Sequence, residues 1–144
     1  MLTRIGLSAV LALSACMTTE YTDVYVELTH AEVHIDTGQP DALAEPTILL
    51  DVYGGAEVRY ISLEGAWLTL DDGVTKSLDL GFDDPAVEVP ANSYLLLSLV
   101  NRGLRNSDLV GYCQRSLPLT AYVGLPADPE LAFQSARALA VFCP

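Results

Sequence analysis

The 144-residue chain is short of the side chains that most catalysis uses. It has two histidines, three cysteines and one tryptophan, and Lys76 is its one lysine. Two imidazoles leave little for general acid–base work near neutral pH. There is no Gly-x-Ser-x-Gly turn for a hydrolase nucleophile, no Gly-rich loop opening a helix to cradle phosphate, and no His-Glu-x-x-His zinc helix. Cations are scarce as well. Seven Lys+Arg stand against nineteen Asp+Glu, for a net charge of −12, which argues against nucleic-acid binding by phosphate neutralisation. Gly-X-Y and heptad repeats are missing, so collagen and coiled coil are excluded. With 51% hydrophobic and 18% charged residues, so is disorder. The acid pairs Asp71-Asp72 and Asp83-Asp84 do not have the spacing of an EF-hand loop and read as solvated turn acids. A non-enzymatic protein without a cofactor is the expectation.

The first sixteen residues carry an address. Arg4 precedes an apolar run from Ile5 to Leu13, far below the about twenty residues that a transmembrane helix needs. A charged start, a short apolar stretch and small residues read as a secretory signal. The end of the run, Leu13-Ser14-Ala15-Cys16, resembles the lipobox of bacterial lipoproteins. That resemblance implies cleavage before Cys16 and acylation of Cys16, with several acyl chains giving a firm membrane anchor. By similarity to lipoprotein sorting in Gram-negative bacteria, Met17 after the cysteine, rather than Asp, implies the outer membrane. The expected organisation is a signal peptide over 1–15, a lipidated tether over 16–20 and one domain over 21–144. Cleavage removes Arg4 and no acid, so the mature chain keeps six cations and nineteen acids. Such a surface repels anionic lipid, and the acyl chains must do the holding.

Two cysteines then remain. In an oxidising compartment Cys113 and Cys143 are expected to pair. A catalytic or metal-binding thiol is the weaker reading, because there is no Cys-x-x-Cys and only His30 and His34 could assist.

Beyond the tether the hydrophobic period is two. Thr22, Val24, Val26 and Leu28 alternate with polar residues, and from Ala31 the phase flips to Ala31, Val33 and Ile35. A slip of one residue turns every side chain to the other face, so a bulge or a crossing between sheets is expected near Leu28–His30. Thr47–Tyr53 reads as a buried strand. Glu57–Leu63 and Ala66–Leu70 read as two further runs, the second entering a hairpin turn at Asp71-Asp72-Gly73. Ser93–Val100 is the most apolar strand. Leu117–Gly124 follows, with Pro118 marking an edge or bulge. Residues 131–142 have a helix-favouring set of alanines, yet a strand can pair with its predecessor and bring Cys143 to Cys113. Strand is the expectation.

Seven or eight strands at this spacing predict an all-β antiparallel sandwich. The pattern resembles bacterial immunoglobulin-like modules, without the antibody Cys…Trp…Cys spacing, and Trp67 is expected in the core. One side-chain set stands out. His30, Glu32, His34 and Asp36 project from one face of a single strand, and imidazole with carboxylate suits Zn²⁺, Cu²⁺ or Ni²⁺; the bland reading is the wet face of a half-buried strand. Two functions compete. One is a lipid-anchored structural or protein-interaction module of the cell envelope, with a protein partner and the membrane as its contacts. The other is a ligand- or metal-binding protein using that strand face.

Overall fold

A computed structural model describes residues 24–144 of the chain. The Leu13–Cys16 motif and the tether lie outside these described residues. Ten strands make up almost all of the regular structure: β1 Tyr25–His34, β2 Pro46–Tyr53, β3 Arg59–Thr69, β4 Thr75–Ser77, β5 Leu80–Gly81, β6 Val87–Val89, β7 Tyr94–Ser98, β8 Val100–Asn101, β9 Arg115–Leu125 and β10 Asp128–Phe142. Two single 3₁₀ turns, Asn106–Asp108 and Val110–Tyr112, precede β9. The protein is an all-β sandwich.

Hydrogen bonds run without a break through β4-β3-β9-β10-β1-β2-β7, with β6 paired to β3 and β5 to β8 in a separate short ribbon. The path folds into two layers because β1 serves both. It pairs antiparallel with β2 from Tyr25 to Val33, and its last residues, Glu32 to His34, run parallel to Ala140–Phe142 of β10. The register shifts between Leu28 and His30, the point where the sequence changes phase. One extra residue bends the strand and lets both apolar sets, Leu28 and then Ala31, Val33 and Ile35, face the same core. The layers β1-β2-β7 and β4-β3-β9-β10 reproduce the strand order of an immunoglobulin-type sandwich.

Four expectations need correction. The sandwich is mixed rather than wholly antiparallel, since the β1–β10 ladder is parallel; β1 passes from β2 to β10 without reversing, and β10, antiparallel to β9, points the same way. The strands number ten because β4, β5, β6 and β8 are pieces of two or three residues, too short to show a period. The runs at Glu57–Leu63 and Ala66–Leu70 are one strand, β3, whose register shifts between Leu63 and Gly65. Trp67 is not in the core: its neighbours Ala66 and Leu68 are buried, so Trp67 points to the outer face and is half-buried there.

The core lies between the inner faces. Ile48, Leu50 and Val52 of β2 meet Ile61 and Leu68 of β3, Leu117, Leu119 and Val123 of β9, and Leu139 and Val141 of β10, all 2% exposed or less. Each such side chain contributes roughly 1.5–3 kcal/mol of burial free energy. Residues 131–142 are strand, as their pairing with β9 shows. Pro118 lies one residue past the end of the β3–β9 ladder, which stops at Leu68–Leu119, so its missing N–H takes no bond from β3.

Irregular backbone gathers at the end of the sandwich where β1 finishes, and polar side chains satisfy it. Cys113 is bonded to Cys143, with Cα atoms 5.4 Å apart. Asn101 Nδ2 donates to the carbonyls of Ala44 and Leu104, both at 2.7 Å, while its Oδ1 accepts from the Gly103 and Leu104 N–H groups. Asn106, 4% exposed, donates to the Gln39 carbonyl at 2.9 Å. Lys76 Nζ lies 3.0 Å from Asp108, and the backbone N–H of Arg105, with Lys76 second, holds the Asp108 carboxyl below its usual range.

Candidate interaction face

On the outer side of β4-β3-β9-β10 the cross-strand register sets side chains in rows. Ser77, Trp67, Thr120 and Ala136 form one row, and Gly65, Tyr122 and Gln134 the next. Pro118 stands opposite Ala138, and Ser116 opposite Ala140. The Trp67 and Tyr122 rings meet at the middle of the face, with centroids 4.7 Å apart and planes tilted by 34°. Ala132, Gln134, Ala136 and Ala138 are exposed around them.

None of these rows holds a charged side chain, although nearly a fifth of the sequence, 18%, is charged. Charge returns only at the rims. At one rim Glu32 stands beside Ala140 across the parallel β1–β10 ladder. At another Glu64 lies over Gly124, so close that a Cβ there would fall 2.6 Å from its Cγ. An uncharged centre carrying aromatic residues inside a polar rim is the anatomy of a protein–protein interface. Covering such a face requires no buried unpaired charge, which is the largest cost in covering most of this acidic surface.

The strand-face set proposed for metal is placed at that rim and is not drawn together. His30 Nε2 is 3.2 Å from Glu32 Oε1. His34 instead stacks on Phe142, with centroids 4.8 Å apart and planes 19° from parallel. Asp36 accepts the Gly38 N–H at 2.9 Å in a tight turn, next to a cavity of about 230 Å³ walled by His34, Gln39, Leu43, Glu45 and Asn106. Among the described residues no three His, Cys, Asp or Glu side chains converge in a way that could hold a metal ion. The physical reason is spacing: positions two apart on one strand lie about 6.5–7 Å apart, too far for one ion without a facing ligand. Cys16 lies outside the described residues; Cys113 and Cys143 are consumed by their bond.

No protein-family model matches the chain, and no curated protein matches it. The face is therefore read from its own geometry. Sequence reasoning missed it because Trp67 and Tyr122 meet only through the β3–β9 register, and because the alanines of β10 signal helix when read singly. Their spacing at 132, 136, 138 and 140, all even positions, was the signal available.

The second layer carries a smaller outer cluster. Tyr25, Tyr53 and Tyr94 stand in one cross-strand row of β1, β2 and β7. Tyr53 and Tyr94 have centroids 4.8 Å apart, and Tyr25 meets Tyr94 edge-on at 6.4 Å. The Tyr25 hydroxyl donates to Glu27, and chiefly this bond pushes its pKa up to about 12.

Proposed function

We propose that the protein is a lipid-anchored, non-enzymatic component of the cell envelope that docks another protein on its β4-β3-β9-β10 face. The observation that carries the docking half is the uncharged outer face centred on Trp67 and Tyr122. The anchoring half is supported by the Leu13-Ser14-Ala15-Cys16 motif behind a short apolar run. Aromatic anchors surrounded by small residues suit such a role, since interface free energy concentrates in a few large rings shielded from water by neutral surroundings. The His30–Glu32 pair would then sit at the interface edge and influence rate and selectivity more than affinity.

The test places a photoreactive side chain at Ala138 or at Leu96 in the native host. Ala138 should yield one discrete protein adduct, Leu96 none, and Ala136→Asp should abolish the Ala138 adduct while leaving the fold intact, because residue 136 is exposed. Absence of an adduct from Ala138, or the same adduct from Leu96, overturns the docking face. Intact-mass analysis should find acylated Cys16, and Cys16→Ser should release the protein from membranes.

A further inference from the structure

The tyrosine row has no place in that docking face, being on the other layer, and much of it is left in water: Tyr25 is 43% exposed, Tyr94 65% and the nearby Leu96 59%. Its position in the chain says what covers it. Tyr25 is the first residue of β1, and the β2 and β7 residues beside it, Tyr53 and Tyr94, lie at the same end of the sandwich. This is the end from which the chain runs back to Cys16, nine positions away. An extended chain covers at most about 3.3–3.6 Å per residue, so Tyr25 stays within roughly 30 Å of that cysteine.

We propose that the Tyr25–Tyr53–Tyr94 row rests at headgroup depth on the lipid surface to which Cys16 is attached. The proposal deepens the anchoring half of the function above and rests on it. Tyrosine suits the site because its ring is apolar and its hydroxyl is wet, the combination enriched where membranes meet water. A contact this small would be too weak for a free domain. The tether makes it intramolecular, at an effective concentration near the millimolar range for a short linker. Charge sets the lipid class. Glu27 and Asp51 form the next pair inward on the same face. Arg59, on the Gly54 carbonyl nearby, has Glu57 two residues before it, and Glu88 of β6 stands opposite its neighbour Tyr60. Lys76 and Arg115 instead meet Asp108 and Asp71, and the Arg105 guanidinium donates to the Asp41 carbonyl, all away from the row. The surface that fits is zwitterionic, with the β1-β2-β7 corner tilted down.

The experiment supplies the anchor chemically. Mature chain, residues 16–144, is coupled through the Cys16 thiol to a maleimide-headgroup lipid in phosphatidylcholine vesicles brominated high in the acyl chain; Cys113 and Cys143, being bonded, do not react. Tyr94→Trp in a Trp67→Phe background puts a single tryptophan in the row, and Leu96→Trp in the same background is the second reporter. Unsubstituted chain, with Trp67 on the other layer, is the control. Bromine should quench the indole emission of the Tyr94→Trp chain about twofold and leave that of Trp67 nearly unchanged, as headgroup depth requires. Quenching of both new reporters no greater than that of Trp67 overturns the proposal and turns the row towards water or protein. Mass analysis of the native protein reports on the anchor separately. An unmodified Cys16 removes the anchor reading and the proposal with it, whereas unquenched reporters on an acylated chain remove the proposal alone.

Discussion

Where β1 finishes, the sandwich is closed by a disulfide, two asparagines that each brace distant backbone, and the Lys76–Asp108 pair. Where β1 begins, the connections are short, and the side chains tie the structure through contacts such as Arg59 Nε on the Gly54 carbonyl at 2.7 Å and the tyrosine ring pairs. The difference follows from backbone accounting. The long stretch from 102 to 114 has little ladder pairing, and each of its buried polar groups must find a side chain or lose stability. Short connections leave few such groups. Their side chains are available to serve the surface, and at this end they are tyrosines.

Breaking the covalent tie should have the largest effect. The bond closes a loop of sequence separation 30, for which the chain-entropy relation gives about 3–4 kcal/mol. Cys113→Ala with Cys143→Ala should lower the thermal midpoint on the order of 10 °C for a domain of this size. Scanning calorimetry checks this, and an unchanged midpoint would show that the 3₁₀ turns hold without it.

Asn106 against Tyr94 sharpens the contrast. Asn106→Ala empties a buried polar position and takes the donor from the Gln39 carbonyl, which should cost roughly 1–3 kcal/mol. Tyr94→Ser removes two exposed ring pairs, each at the low end of roughly 0.5–1.5 kcal/mol, and should cost about 1 kcal/mol in all. Urea unfolding of the two variants side by side gives the answer; equal losses would mean that the ends are equally braced.

The smallest effect is local and electrostatic. The Tyr25 phenol is raised to about 12 by its bond to Glu27. Because the folded value is raised, the contribution is complete below the ordinary phenol range near 10 and is lost as pH climbs towards 12. Near neutral pH it is fully present and gives no pH dependence. Spectrophotometric titration should show a late phenol transition, and Glu27→Gln should bring it down towards the ordinary value near 10.

Much of this architecture is legible in local pattern. The phase flip at Leu28–His30 locates the bulge, Asp71-Asp72-Gly73 locates a hairpin in which Gly73 takes φ of 81°, and cysteine counting locates the bond. Local pattern fails where pairing decides. Ser93–Val100 reads as the most apolar strand, yet β7 ends the hydrogen-bonded path and leaves Leu96 and Tyr94 outside. Trp67 has the size of a core residue, but its neighbours Ala66 and Leu68 take the inner positions. The uncharged outer face around Trp67 and Tyr122 is illegible for the same reason, since it is assembled from strands far apart in sequence. Asn101 and Asn106 read as ordinary turn residues, because the carbonyls they reach across to belong to a loop some sixty residues earlier.

The parallel seam between β1 and β10 also has a consequence in time. The Leu28 N–H reaches Ser135 Oγ across 107 positions, and the first strand finds its second neighbour only in the last one. A chain made from its N-terminus therefore cannot close this sandwich before β10 has emerged. Loop closure over such separations makes folding slow compared with local hairpins. Until residue 143 has appeared, the Cys113 thiol also lacks its mate. The fold is one that completes only after β10 has been delivered, with β1 waiting on a partner made long after it.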